Sequence, residues 1–155
     1  MNATEISKRI EQVYFGGNCT LSNLNEQLSN VNFELATKKV GTLNTILALT
    51  FHIHYYTKAQ LQVLKGGPLE AHDSESFFHP ELNYENEWKA FKAQLFDEAR
   101  EFISMIQNLK NEELYGAFAD GKYGTCLSNF LCLNEHTHYH LGQIALIKKM
   151  ILESK

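Results

Sequence analysis

Apolar residues recur along the chain at helical intervals, and glycine marks where the runs stop. Ile6, Ile10, Val13 and Tyr14 follow i, i+4, i+7 and i+8, which predicts a first amphipathic helix ending at Gly16-Gly17. A polar stretch rich in Asn and Ser follows, in which Leu21, Leu24 and Leu28 could form a short helix. A long second helix is predicted from Gly41 or Thr42 to Leu64, closed by Gly66-Gly67-Pro68. Residues 69–84 show no period and are long enough for a covering loop. Trp88, Phe91, Leu95, Phe102 and Ile106 then define a third long helix reaching Leu109. Asp120-Gly121-Lys122-Tyr123-Gly124 carries turn chemistry, with Thr125 or Ser128 capping a final helix that extends to Leu152. Together these elements predict an all-α fold, a single domain over 1–155 built as an antiparallel four-helix bundle with long crossover-type loops.

Composition narrows the function classes. The chain has 155 residues, 44% hydrophobic and 21% charged, which suits one soluble globular domain. It has neither a run of 18 apolar residues nor an N-terminal signal segment, so a cytoplasmic protein without membrane association is expected. The net charge of −4 and the lack of a Lys/Arg cluster argue against a nucleic-acid partner. Cys19, Cys126 and Cys132 form an odd set without C-x-x-C spacing, read as reduced core thiols. Cys132 precedes His136 by four residues and so shares its helix face, which makes it a further candidate ligand.

Chemistry concentrates in the last helix. At about 100° per residue, His136 and His140 lie about 40° apart, so both imidazoles can chelate one ion. Ile144, Ile147 and Ile151 continue that side toward the interior, whereas His138 points the opposite way. On the second helix, Leu49, His52, Tyr56, Ala59 and Val63 form an interior stripe, making His52 the third candidate ligand. His54, about 200° from His52, is assigned to the outer or subunit-facing side. Neutral imidazole suits Zn, Ni, Fe and Cu, and three protein ligands leave one position open, as in catalytic zinc sites. The competing reading is that these are satisfied core histidines. Thr137 stands where H-E-x-x-H requires Glu, which disfavours a zincin-type protease. Tyr56 and Gln143, one turn beyond the ligands, are candidates to hydrogen-bond near the open position. His72 and His79 are read as solvated loop residues. Phe51 and Tyr55, off the interior stripe, suggest a surface for a second subunit.

The segments Phe51-His52-Ile53-His54-Tyr55-Tyr56, Val63-Leu64-Lys65-Gly66-Gly67, Lys122-Tyr123-Gly124-Thr125, and Glu135-His136 with Tyr139-His140-Leu141-Gly142-Gln143-Ile144 resemble the DinB-like superfamily of metalloenzymes, DNA-damage-inducible or YfiT-like four-helix bundles. That resemblance spans nearly the whole chain. It implies a metal triad of His52, His136 and His140, a bound Zn or Ni, and a homodimer. It also implies a small-molecule substrate, including a low-molecular-weight thiol used in thiol-dependent S-transfer. The alternatives are a metal-dependent hydrolase and a non-enzymatic metal-binding or stress-response helical protein, in which a fourth ligand such as Cys132 would close the shell.

Overall fold

The first helix begins where Asn2 caps it. Asn2 Oδ1 accepts from Glu5 N at 2.9 Å while the Glu5 carboxylate accepts from Asn2 N at 2.8 Å, a reciprocal pair that satisfies two donors the helix cannot. This helix, α1 (Ala3–Phe15), ends at Gly16, whose φ of 109° few residues other than glycine adopt. The computed structural model describes residues 1–153, and these form an all-helical chain with no strand among them. After α1 come α2 (Leu24–Ser29), α3 (Phe33–Thr37), α4 (Ile46–Leu64), α5 (Glu85–Gln107), α6 (Asn111–Leu114) and α7 (Cys126–Glu153). A 3-10 turn at Asp73–Glu75 lies within the 69–84 segment.

Most predicted ends hold, and the departures have local causes. α4 starts at Ile46 and not at residue 41 or 42, because Gly41 sits at φ 53° in a turn closed by Leu43 N donating to Val40 O. The Thr45 hydroxyl then caps the helix by accepting from Ala48 N at 3.1 Å. Leu24 and Leu28 are buried in α2, whereas Leu21 lies outside it, exposed and at positive φ. The short helices α3 and α6 carry too few residues for a period to show.

The four long helices pack in a closed ring: α1 against α5 and α7, and α4 against the same two. Ile6, Ile10, Val13, Leu95, Phe102, Ile106, Phe130, Ile144 and Ile147 fill the interior. Tyr14 crosses it from α1, with its hydroxyl 2.6 Å from Thr57 Oγ1 on α4. Thr57 already donates to Ile53 O, so the Tyr14 phenol is the donor. Trp88 of α5 is fully buried, and its Nε1–H donates to Val31 O at 2.8 Å in the link between α2 and α3. Replacing Trp88 with Ala removes both the packed indole and that donor. Chemical denaturation of Trp88→Ala should show a loss of about 3–5 kcal/mol, and a loss below about 1 kcal/mol would mean that Trp88 does not anchor this layer.

Candidate metal centre

The seam between α4 and α7 is where the helical register meets chemistry. His52 lies three turns before the end of α4, and His136 and His140 are one turn apart near the middle of α7. Their ligand atoms all lie within 4.8 Å of one another, and no other His, Cys, Asp or Glu among the described residues joins the group. His136 Nε2 is 2.9 Å from His52 Nε2 and 3.0 Å from His140 Nε2. Nitrogens bound at about 2.0–2.1 Å to a tetrahedral zinc lie about 3.3 Å apart, so each of these two separations falls only a few tenths of an ångström short of that spacing.

Protons alone fit this arrangement poorly. His140 Nδ1 lies 2.7 Å from Gln143 Oε1, which fixes the proton on Nδ1 and leaves Nε2 as a bare lone pair. His136 can then donate its single Nε2 proton to His140 or share it with His52, but it cannot make two good hydrogen bonds. The Nδ1 atoms of His52 and His136 are buried without a well-formed hydrogen bond, although the Ser76 backbone lies near the His52 ring. A single cation facing all three Nε2 atoms resolves the conflict.

The electrostatics keep the rings able to act as ligands. Burial, then the charge of His140, pushes the His52 pKa from 6.5 to about 4, while contact with the Ser76 backbone and the charge of Asp73 oppose the shift. Burial, then His140 and His52, takes His136 to about 4, with Asp73 again opposing. Burial also lowers His140, against its bond to Gln143. At neutral pH all three are therefore uncharged imidazoles with available lone pairs.

The 69–84 segment folds over this centre. Phe77 stacks on the His52 ring, centroids 3.9 Å apart and planes 7° apart. Tyr55 Oη accepts from His72 N at 2.8 Å, and the Tyr56 hydroxyl donates to Asp73 Oδ1. The Tyr56 ring lies edge-on to His52 at 5.2 Å and to His136 at 5.1 Å. Burial, reinforced by the bond to Asp73, raises the Tyr56 pKa to about 12, so it remains a neutral donor.

Of the residues singled out in the sequence, His52, His136, His140, Tyr56 and Gln143 converge at this point. His138 does not: its Nδ1 lies 2.9 Å from Asn134 O, one turn back on its own helix. His54 corrects the outer assignment, being buried with Nε2 3.3 Å from Glu98 Oε2 on α5. The cysteines correct the core assignment, since Cys19 and Cys132 are exposed and only Cys126 is partly covered. Cys132 lines a cavity of about 570 Å³ beside Tyr56 and Asp73 without reaching the imidazoles. Phe51 and Tyr55 are half-buried by their own chain, Phe51 against His79 and Phe91. Asp73 was missed, because a carboxylate in an aperiodic loop carries no spacing signal. Comparisons with protein-family models, curated proteins and solved structures find no match for this chain.

Replacing His136 or His140 with Ala should abolish metal uptake by elemental analysis, and with it the thermal stabilisation by added Zn²⁺ or Ni²⁺. At 100 times Kd that stabilisation is about 2.7 kcal/mol. His138→Ala should retain both, and equal loss in all three variants would refute the inward face of α7. The metal-free protein should also be acid-sensitive. Folded pKa values near 4 against 6.5 mean that the unfolded chain binds more protons between those limits. Stability from these rings is complete above about pH 6.5 and is lost as the pH falls toward 4. A His52→Asn/His136→Asn double variant should show a shallower fall in Tm over that range, and an unchanged slope would contradict the shifts.

Proposed function

We propose that this chain is a metal-dependent enzyme of the DinB-like kind, with His52, His136 and His140 holding one divalent transition metal, Zn or Ni. The observation that carries the reading is the mutual approach of three Nε2 atoms at 2.9 and 3.0 Å from two helices, with no fourth ligand in the group. The ring of α1, α5, α4 and α7 supports the finer architecture, an antiparallel four-helix bundle whose long connections carry α2, α3 and the covering segment.

A bound divalent ion at this point would supply positive charge that lowers the pKa of a thiol or water. The protein's own residues do the rest. Gln143 orients the His140 ring through Nδ1. Phe77 and Tyr56 cover two sides of the triad, and a cavity with space for a small molecule lies on the far side of Tyr56. The reaction we favour is S-transfer from a low-molecular-weight thiol to a small electrophile, because the site holds a nucleophile's charge and the adjoining cavity has space for a second reactant. Free cysteines agree with a cytoplasmic setting. A twofold homodimer belongs to the same proposal. Its surface is the face of α7 where Tyr139 and Leu146, seven residues apart, are exposed.

Elemental analysis of untagged protein should find about one equivalent of Zn or Ni per chain. A screen of small thiols against chromogenic electrophiles should then give turnover that His52→Ala, His136→Ala and His140→Ala abolish. Metal bound without any thiol transfer would support the non-enzymatic reading, and no metal at all would end the proposal.

A further inference from the structure

The face of α4 that bears His52 also bears Tyr55 and Tyr56, three and four residues on, and all three hold the 72–77 segment. Tyr55 pins the backbone at His72. Tyr56 holds the Asp73 side chain, and His52 underlies Phe77. Between these points, Ser76 is almost fully buried and its hydroxyl donates to Asp73 O at 2.8 Å, closing the 3-10 turn. Asp73 is thus placed from two directions although it is solvent-exposed. The bond to Tyr56 occupies Oδ1, and Oδ2 has no partner among the described residues. Asp73, Tyr56 and Cys132 line one cavity of about 570 Å³, while the ring of Tyr56 touches His52 and His136. Tyr56 therefore borders both the cavity and two rings of the triad, with Asp73 bonded to it on the cavity side. Asp73 is also the one carboxylate whose charge acts on both His52 and His136.

We propose that Asp73, positioned by Tyr56, is the proton acceptor for the thiol that docks against the histidine triad. The inference rests on the metal-centre reading above and supplies the base that the helical motifs lack. A free thiol has a pKa of about 8.5 and is mostly protonated at neutral pH, so its proton needs a destination. The S–H bond breaks and its electron pair stays on sulfur, whose charge a divalent ion held by the three Nε2 atoms would offset. The proton forms an O–H bond at Asp73 Oδ2 and then passes to bulk water, to which Asp73 is open. Charge is conserved, since one carboxylate is neutralised as one thiolate forms. Tyr56 remains protonated throughout and fixes the carboxylate's orientation as a donor.

The test uses the full chain loaded with cobalt(II), with 2-mercaptoethanol as the thiol. Stopped-flow absorbance at neutral pH follows the sulfur-to-cobalt band as the thiol is captured. Asp73→Ala should slow capture 100-fold or more, within the range of general-base contributions of about 10²–10⁴. Its cobalt content and final absorbance should equal those of the wild type. Added formate should restore the rate at least tenfold in Asp73→Ala and leave the wild type unaffected, a response that a merely structural role would not give. Tyr56→Phe should slow capture by a smaller factor and gain nothing from formate. A capture rate within twofold of wild type in Asp73→Ala overturns the proposal, as does slow capture that formate cannot rescue. Loss of cobalt from Asp73→Ala also overturns it, by making Asp73 a residue that holds the site together, while the triad stands. Wild-type protein that takes up no cobalt sinks the metal reading itself, and the proposal with it.

Discussion

The polar groups in the α4–α7 seam divide into those a helix can satisfy by itself and those it cannot, and the site is the second set. Thr50 donates to Ile46 O, Thr57 to Ile53 O and Thr137 to Leu133 O, each one turn back along its own helix. These hydroxyls enter the interior without needing a partner from a neighbour. His138 uses the same device through Asn134 O. The triad does not: its Nε2 atoms face each other across the helix boundary, and two of its three Nδ1 atoms have no partner. Leaving a buried polar group unsatisfied costs about 1–3 kcal/mol. Such unsatisfied groups are rare in folded interiors, and a bound ion is one way of completing them.

The covering segment follows from the same constraint. Three imidazoles facing a common point leave an opening that water would fill, and the aromatic groups around it limit that access. Phe77 lies flat on His52, and Tyr56 stands edge-on to two of the rings. Excluding water lowers the local dielectric, which disfavours protonated imidazole and strengthens any charge interaction made there. The segment therefore adds to the burial that keeps His52 uncharged, although it contributes no member of the triad.

The parts of the site that lie on helices could be read from spacing, because a period of about 3.6 fixes which residues share a face. His136 and His140 needed one helix, and His52 needed only its place in the stripe with Leu49 and Ala59, both buried. Gln143 followed from its position beyond His140. Asp73 and Phe77 could not be found this way. They reach the centre through a loop whose path is set by the contacts of Tyr55 and Tyr56, and those contacts exist only in three dimensions. Cys132 failed for a related reason. Sharing a helix face with His136 places it one turn farther along the seam, exposed beside a cavity that Tyr56, Ala59 and Gln60 of α4 also line.

His54 shows why a single interior stripe is too simple for α4. In a ring of four helices each member has two long neighbours, so positions about 200° apart can both be buried. His52 turns to α7, whereas His54 turns to α5, against Glu98 and the ring of Phe91. Phe51 and Tyr55 face the 69–84 segment, and Thr57 faces Tyr14 of α1. α4 is thus covered on nearly every side, and it carries two histidines because it has two dry seams. Burial holds both near pKa 4, so the same sheathing leaves His52 and His54 as uncharged rings. What separates their roles is the facing helix: α7 offers His52 two more lone pairs, and α5 offers His54 a single carboxylate.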